Sequence, residues 1–592
     1  MCGIVCYKGR DYAKKIILDG LKKLEYRGYD SAGIALKNEE IECFKKSGRI
    51  ENLKEILKDN SVDSHIGIGH IRWATHGEAN DVNSHPHVSE DQKIAVVHNG
   101  IIENYRQLKE DLIKEGYNFK SETDTEVIAA LISKYYDSDL LEAVNKAIKL
   151  LEGSFAIGVI AKDEDRLVAV RNQSPLVMGV LEDGHILASD IPSLLEYTKD
   201  VIYLDEGDIV DLNGKNCTIY DKELNILDKK IDRVTWSMED ATKEGYDHFM
   251  IKEINEQPTA IIDCLRDKIH DRHLDLKDNS FSKEEIENFK RIYIIACGTA
   301  YNAGMVGKYA FEKFAKIPVI CDIASEFRYN DPFVDENTLV ILLSQSGETA
   351  DTLAALRESK KNGAKTIAIT NVVGSSIARE SDKVIYLNAG PEIAVASTKA
   401  YTTQIVSMYT LALDFCKKLN IKDDKWIDQK IQQLSKVSEK IEEILKNQDS
   451  IKEYAKKIKD KEHVFYIGRL LDFCTVTEGA LKLKEVSYIH CEAFAAGELK
   501  HGTIALIEEN TPVVSVITQD NIMDKTISNI EEVVSRGADV FIISKEDNSK
   551  LRNISSFVYK LPEINDWLYP ILSVVCCQLL AYYTSKEKGL DV

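Results

Sequence analysis

Short apolar runs, rather than long helical stripes, set the pattern of the first third of the chain. Ile66-Gly-Ile-Gly-His70, Ile94-Ala-Val-Val97 and Ser154-Phe-Ala-Ile-Gly-Val-Ile160 have the length and alternation of strands. Helical stretches lie between them. One runs from Thr125 to Tyr136 behind the acid-rich segment Ser121-Glu-Thr-Asp124, which predicts an N-terminal cap. Strands and helices in uneven order predict layered α+β packing, not repeated βαβ units. From about Asp228 to Phe281 the pattern turns charged and mainly helical, with Trp236 to Tyr246 extended or irregular, so a boundary is placed near residue 240.

Beyond that boundary the pattern repeats itself. Leu339-Val-Ile-Leu-Leu-Ser-Gln345 leads into a helix ending at Gly363-Ala364, followed by Thr366-Ile-Ala-Ile-Thr370. Pro512-Val-Val-Ser-Val-Ile-Thr-Gln519 leads into a helix ending at Gly537-Ala538, followed by Asp539-Val-Phe-Ile-Ile543. Gln345 to Gly363 and Gln519 to Gly537 are both eighteen residues apart, and each copy begins with a strand ending in glycine, at Gly298 and Gly468. Strand, tight turn, helix, strand predicts two doubly wound domains with parallel sheets, which bind ligands at the carboxyl ends of their strands.

Composition narrows the function classes. A chain of 592 residues is too long for one core and implies two or three domains. A net charge of −21 argues against nucleic-acid binding, though it allows a local basic pocket for a small anion. No uninterrupted apolar run is long enough to span a bilayer, and Met-Cys-Gly is no signal peptide. Twelve cysteines without CxxC or framework spacing fit reduced thiols, so a cytoplasmic protein is expected. No metal-ligand spacing is present, and neither a metal nor an organic cofactor is expected.

Candidate chemistry begins at Cys2. Removal of Met1 would leave a thiol and a free α-amine on one residue, and the amine, with an unperturbed pKa near ~8, can accept the thiol proton. The alternative is a small buried hydrophobe opening a strand. Arg72-Trp-Ala-Thr-His76, after a strand, offers a guanidinium for a carboxylate beside an aromatic wall. His98-Asn-Gly100, also after a strand, offers a side-chain amide and a backbone N–H to an oxyanion. Asp124 can hold an ammonium group, and Tyr26-Arg-Gly-Tyr-Asp-Ser-Ala-Gly33 reads as a tight turn. Taken singly, each of these also fits a surface ion pair, a turn glycine or a helix cap. In the first repeat Ser344-Gln-Ser-Gly-Glu-Thr349 joins strand to helix with hydroxyls and successive N–H groups, an arrangement that suits a phosphate or, alternatively, only a helix cap. The second repeat has Thr518-Gln-Asp-Asn521 there, and its Asp520 would repel a phosphate.

Together, Cys2-Gly-Ile-Val5, Glu25 to Gly33, His70-Ile-Arg-Trp-Ala-Thr-His-Gly77, His98-Asn-Gly-Ile-Ile-Glu-Asn104 and Ser121 to Glu126 resemble the class II glutamine amidotransferases, N-terminal-nucleophile hydrolases of αββα fold. The resemblance implies that Cys2 attacks the glutamine amide, giving a γ-glutamyl thioester and ammonia. It implies Arg72 on the substrate carboxylate, Asp124 on its amine, Thr75 and His76 lining the pocket, and Asn99 with Gly100 at the oxyanion. Ala296-Cys-Gly-Thr299, Ser344 to Thr349, Val395-Ala-Ser-Thr-Lys399, Glu478 to His490 and Ala495 to Gly502 resemble sugar-isomerase (SIS) domains. One amidotransferase domain followed by two SIS domains resembles the glucosamine-6-phosphate synthase family (glutamine:fructose-6-phosphate aminotransferases, isomerizing), of bacterial type. The expected division is an amidotransferase domain at 1–240, a linker at 241–283, and SIS domains at 284–423 and 455–592.

The resemblance further implies a homodimer. Thr299, Ser344, Gln345, Ser346, Thr349, Val395 and Ser397 would bind fructose 6-phosphate. Glu485 would be the base that shifts a proton between C1 and C2, with Lys482, three residues earlier on the same helical face, holding the sugar oxygens. His501, supplied across the dimer interface, would open the ring, and Trp73 would gate an ammonia channel. Lacking the interdomain insertion of the eukaryotic enzymes, the chain would escape feedback by UDP-N-acetylglucosamine.

Two departures stand out. Ala300 replaces a serine usual in the family, at a cost of about 1 kcal/mol in sugar binding if nothing replaces the hydroxyl. The chain also stops at Lys588-Gly-Leu-Asp-Val592, where the family continues into a tail whose lysine forms a Schiff base with the sugar. Truncation is the expectation, with glutamine hydrolysis alone, or a deglycase-like activity, as the alternative. Phosphoribosyl amidotransferases and asparagine synthetases share the first domain, but the pyrophosphate and ATP motifs they need do not appear. A non-catalytic SIS sugar-phosphate sensor would not need the glutamine-site residues.

Overall fold

The computed structural model describes residues 2–25, 28–58, 60, 62–73, 77–234, 243–270 and 272–592. The chain divides into two compact units, residues 1–241 and 242–592.

In the first unit the apolar runs form two antiparallel sheets. One has eight strands among the described residues, with Gly3–Gly9 central between Gly184–Ala188 and Ile66–Arg72. The other has seven, and there Ile94–Ile102 pairs with Gly153–Ala161 from Ile94↔Ala161 to Ile102↔Gly153. Period-2 alternation buries one side chain in two between the sheets, where Ile4, Cys6 and Ile68 meet Ala95, Val97 and Ala156. Ile94, Val96 and Ile157 point the other way, onto Val127, Ile128, Leu131 and Ile132 of the helix Thr125–Tyr135. The helix Ala13–Lys23 buries Ile16, Ile17 and Leu21 and packs on the outer face of the first sheet. The layers run αββα.

Two sequence readings are corrected here. His98, Asn99 and Gly100 lie inside the Ile94–Ile102 strand rather than after one. Asp124 sits at the N-cap of its helix but makes no side-chain cap. Its Oδ2 instead accepts from Ile102 N–H at 2.9 Å, and Glu126 accepts from Ser121 N–H at 2.6 Å.

The second unit contains two five-stranded parallel sheets of identical order. The first runs Val319–Ile323, Arg291–Ala296, Thr338–Ser344, Lys365–Thr370, Lys383–Tyr386, and the second His490–Ala495, His463–Gly468, Pro512–Ile517, Asp539–Ser544, Phe557–Lys560. In each, the first and third strands of the repeat are neighbours, and their carboxyl ends flank the switch point where such sheets bind ligands. Both repeats share one core: Ile294 and Ile341 from one sheet, Tyr466 and Val516 from the other, and Tyr401 and Met408 from the helix Lys399–Lys418. Gly479 lets the helix Leu471–Ser487 approach the helix Tyr569–Glu587, since a Cβ there would lie 2.9 Å from Cys577.

The segment Asp566–Glu587 is long and apolar enough to cross a membrane by length and composition, although Ser573 and Gln578 interrupt its apolar run. Its most apolar window is 94% buried, so the core of the unit explains why this helix is apolar all round.

Candidate active sites

Strand ends converge on a cleft in the first unit. It is lined by Cys2, Arg72, Trp73, His85, His98, Gly100, Thr123, Asp124 and Thr125. Cys2 precedes the central strand, and its Sγ accepts from Trp73 N–H at 3.3 Å. Arg72 ends the neighbouring strand and is buried. Its guanidinium donates to the carbonyls of Glu78 at 3.1 Å and Gly77 at 3.2 Å. Burial lowers the Arg72 pKa, opposed by the fields of Cys2, Asp30 and Asp124. Gly100 runs at φ +132°, and a Cβ there would lie 1.9 Å from Ser154 O, so a backbone N–H at this place requires glycine.

Asn99 Nδ2 donates to Cys2 O at 3.1 Å and to Ser189 Oγ at 2.8 Å. The cleft therefore joins a thiol, a cation, a carboxylate and candidate oxyanion donors, as expected for a zwitterionic amide. Thr75 and His76, expected to line the same pocket, lie outside the described residues.

In the second unit Thr299 opens the helix Gly298–Ala310 behind the first strand of the first repeat. Ser344 closes the third strand. Its Oγ lies 2.9 Å from Thr349 Oγ1 and accepts from Gly347 N–H at 3.0 Å. Thr349 is the N-cap of the helix Ala350–Lys361 without a side-chain cap bond, so the hydroxyls face the loop rather than the helix end. From the other repeat, Lys482 on the helix Leu471–Ser487 donates to Thr299 Oγ1 at 2.9 Å and to Glu485 at 2.5 Å. Two domains thus build one site. Burial alone would lower the Lys482 pKa, but Glu478 and Glu485 outweigh it and raise it. Val395 is 68% exposed on a loop, Ser397 Oγ donates to Glu392 at 2.7 Å, and His501 is exposed on a 3₁₀ turn within this chain.

Several residues around this site carried no role in the sequence reading. Glu478 is fully buried, accepts from Asn302 Nδ2 at 2.8 Å, and is pushed up to about 7 by desolvation. Glu392 accepts from Thr398 and Ala400 N–H, and Glu253 from Ile393 and Ala394 N–H, so two carboxylates fasten the loop that carries Val395. Burial, then Glu392, pushes Glu253 up to about 8. Glu478 was visible at helical spacing from Lys482; Glu253 and Glu392 had no signal, because their partners are backbone groups far away or in a loop.

In the second repeat the position that corresponds to the Ser344–Thr349 loop is filled from inside. Asp472 accepts from the N–H of Thr518 at 2.8 Å and from its hydroxyl, and burial pushes its pKa up to about 6. Among the described residues, no group of three or more His, Cys, Asp or Glu is arranged to hold a metal ion.

Residues 70–196 match the glutamine amidotransferase domain family, and residues 285–414 and 457–585 each match the SIS domain family. One glutamine amidotransferase domain followed by two SIS domains defines an amidotransferase of the SIS type. Over its whole length the chain is 53% identical to the glutamine–fructose-6-phosphate aminotransferase (isomerizing) of Clostridium acetobutylicum, covering 100% of this chain and 98% of that protein. It is 45% identical to the enzyme of the same name from Methanosarcina acetivorans, again covering 100% of this chain and 98% of the relative. The C-terminal domain of glucosamine-fructose-6-phosphate aminotransferase from Francisella tularensis superposes with a TM-score of 0.56 at 41% identity, covering 59% of this chain and 99% of that one. The chain belongs to the glutamine–fructose-6-phosphate aminotransferase family.

Proposed function

We infer that this protein converts fructose 6-phosphate and L-glutamine to glucosamine 6-phosphate and L-glutamate. The observation that carries the reading is the cleft lined by Cys2, Arg72, Asp124 and Gly100, with Asn99 Nδ2 on Cys2 O, in a chain that belongs to this family along its whole length. Arg72 holds the glutamine α-carboxylate and Asp124 its α-ammonium. The Cys2 α-amine, free once Met1 is removed, takes the thiol proton. The thiolate adds to the γ-carboxamide, and Gly100 N–H holds the oxyanion together with the Asn99 Nδ2–H that rests on Cys2 O before glutamine binds, the second Asn99 N–H staying on Ser189 Oγ. The α-ammonium returns that proton to the departing nitrogen, so collapse expels ammonia and leaves a γ-glutamyl thioester, which water hydrolyses to glutamate and the free thiol.

In the second unit Ser344, Gln345, Ser346 and Thr349 take the phosphate, while Thr299, Ser397 and the backbone near Val395 take sugar hydroxyls. Ammonia condenses at C2 and water leaves. Glu485 then moves a proton from C1 to C2, with Lys482 steadying the oxygens. Trp73 gates the passage of ammonia, because ammonia lost to water is protonated and no longer nucleophilic. The enzyme works as a cytoplasmic homodimer in which the partner copy's His501 opens the sugar ring. Its exposure within the single chain and the twelve cysteines, none of them in a disulfide, support that reading.

With both substrates supplied, glutamate and glucosamine 6-phosphate are expected in equal amounts when quantified separately. Glutamate formed without amino sugar would reduce the protein to a glutaminase and overturn the assignment.

A further inference from the structure

An asparagine in an oxyanion site works in only one of its two amide orientations. Asn99 Nδ2 faces Cys2 O at 3.1 Å, and a carbonyl accepts only, so the nitrogen must be on that side. Oδ1 therefore points the other way, to His70 Nε2 at 3.0 Å, and needs a donor there. We propose that His70 is a positioning residue for glutamine hydrolysis: its Nε2–H holds Asn99 Oδ1 and so locks the carboxamide with its N–H group turned toward the nucleophile.

His70 is fully buried in the Ile66–Arg72 strand and is not among the residues that line the cleft, so it acts through Asn99. Burial, with His98 nearby, pushes its pKa down to about 3, so the ring is neutral and carries one proton. The acceptor at Asn99 assigns that proton to Nε2. The ring plane is fixed by stacking on His85, centroids 4.1 Å apart, and His85 meets His87 edge-on at 4.9 Å. His87 Nε2 is held in turn by Thr123 Oγ1 at 3.0 Å. On the nucleophile side Ser189 Oγ accepts from Asn99 Nδ2 and from Ile4 N–H, tying the amide to the strand that Cys2 precedes. A flipped carboxamide would set Oδ1 against Cys2 O and against the developing oxyanion.

The inference rests on the reading of Asn99 as an oxyanion donor, and three variants separate the two. Glutamine keeps an N–H donor at the reach of Nε2, whereas asparagine reaches only as far as Nδ1. For His70→Gln, kcat for glutamine hydrolysis is expected within about threefold of wild type. For His70→Asn it should fall on the order of 30-fold, short of the 10²–10³ typical when an oxyanion donor is removed outright. KM for glutamine and Ki for glutamate should stay within about twofold, because Arg72 and Asp124 bind the ground state. Equal losses in both variants, or a loss confined to KM, would overturn the role. His70→Met, apolar and without a donor, replaces the asparagine variant if the latter does not fold, and is read against His70→Gln in the same way. Asn99→Ala is the control. Full activity in Asn99→Ala would refute the oxyanion reading itself, whereas a loss there with His70→Asn unimpaired would refute only the role of His70.

Discussion

Gly100 concentrates more constraint than any side chain near it. Its φ of +132° and the contact a Cβ would make with Ser154 O mean that an alanine could neither adopt the backbone nor fit the space. Gly100→Ala is expected to destabilise the first unit by about 3 kcal/mol, combining overpacking with backbone strain. It should also lower kcat for glutamine hydrolysis at least 100-fold by moving the N–H. Denaturant unfolding and a glutaminase assay on the same preparation check both; a stable, active variant would mean that the strand relaxes at no cost. At this scale the sequence was legible where a residue type is itself unusual, as at Cys2 or Arg72. It was silent at His70 and Ser189, whose partner Asn99 lies 29 and 90 residues away, because pairing between distant strands leaves no local mark.

On the proposed function, the helix Leu471–Ser487 is the element on which the sugar site turns. Glu478, Lys482 and Glu485 share one of its faces, and the lysine, 1% exposed, lies 3.5 Å from the first carboxylate and 2.5 Å from the second. Lys482→Met leaves two carboxylates facing each other without a cation and is expected to cost about 3–5 kcal/mol. Adding Glu478→Gln should recover a large part of that, since the amide no longer needs neutralising. Urea unfolding of the single and double variants reads the coupling; simple additivity would mean that the three groups do not act as a unit. Both parallel sheets could be read from sequence because local signals agree: an apolar run, then a tight turn, then a helix closed by a positive-φ glycine at Gly363 or Gly537. The expected acidic cap at Asp124 failed for the opposite reason. A carboxylate beside a helix start looks the same in sequence whether it serves that helix or, as here, a strand N–H at Ile102.

Across the whole molecule the buried carboxylates and histidines shifted by burial divide by unit, and with opposite signs. In the second unit burial raises Asp472 to about 6, Glu478 to about 7 and Glu253 to about 8. The folded state therefore binds more protons than the unfolded one above pH ~4, and these groups weaken that unit as pH climbs from about 4 to about 8. In the first unit burial lowers His70 to about 3 and holds His85 and His87 well below the ordinary histidine value. Their unfolded rings take up protons below pH ~6.5, so the first unit loses stability as pH falls through that value. Scanning calorimetry from pH 8 to pH 5 should show the transition of the second unit rising while that of the first falls. Two transitions moving together would show that other groups dominate.

The carboxylate of Asp472 in the second repeat bears on how the two copies diverged. Thr518, whose N–H and hydroxyl already go to Asp472, presents an outside anion with a carboxylate where the first repeat presents a hydroxyl. The second copy's helix Leu471–Ser487 is then free to lend Lys482 and Glu485 to its sibling. On the proposed function, one copy keeps the ligand cradle and the other keeps the acid–base groups. Neither copy could then be lost or exchanged for the other, although both have the same strand order.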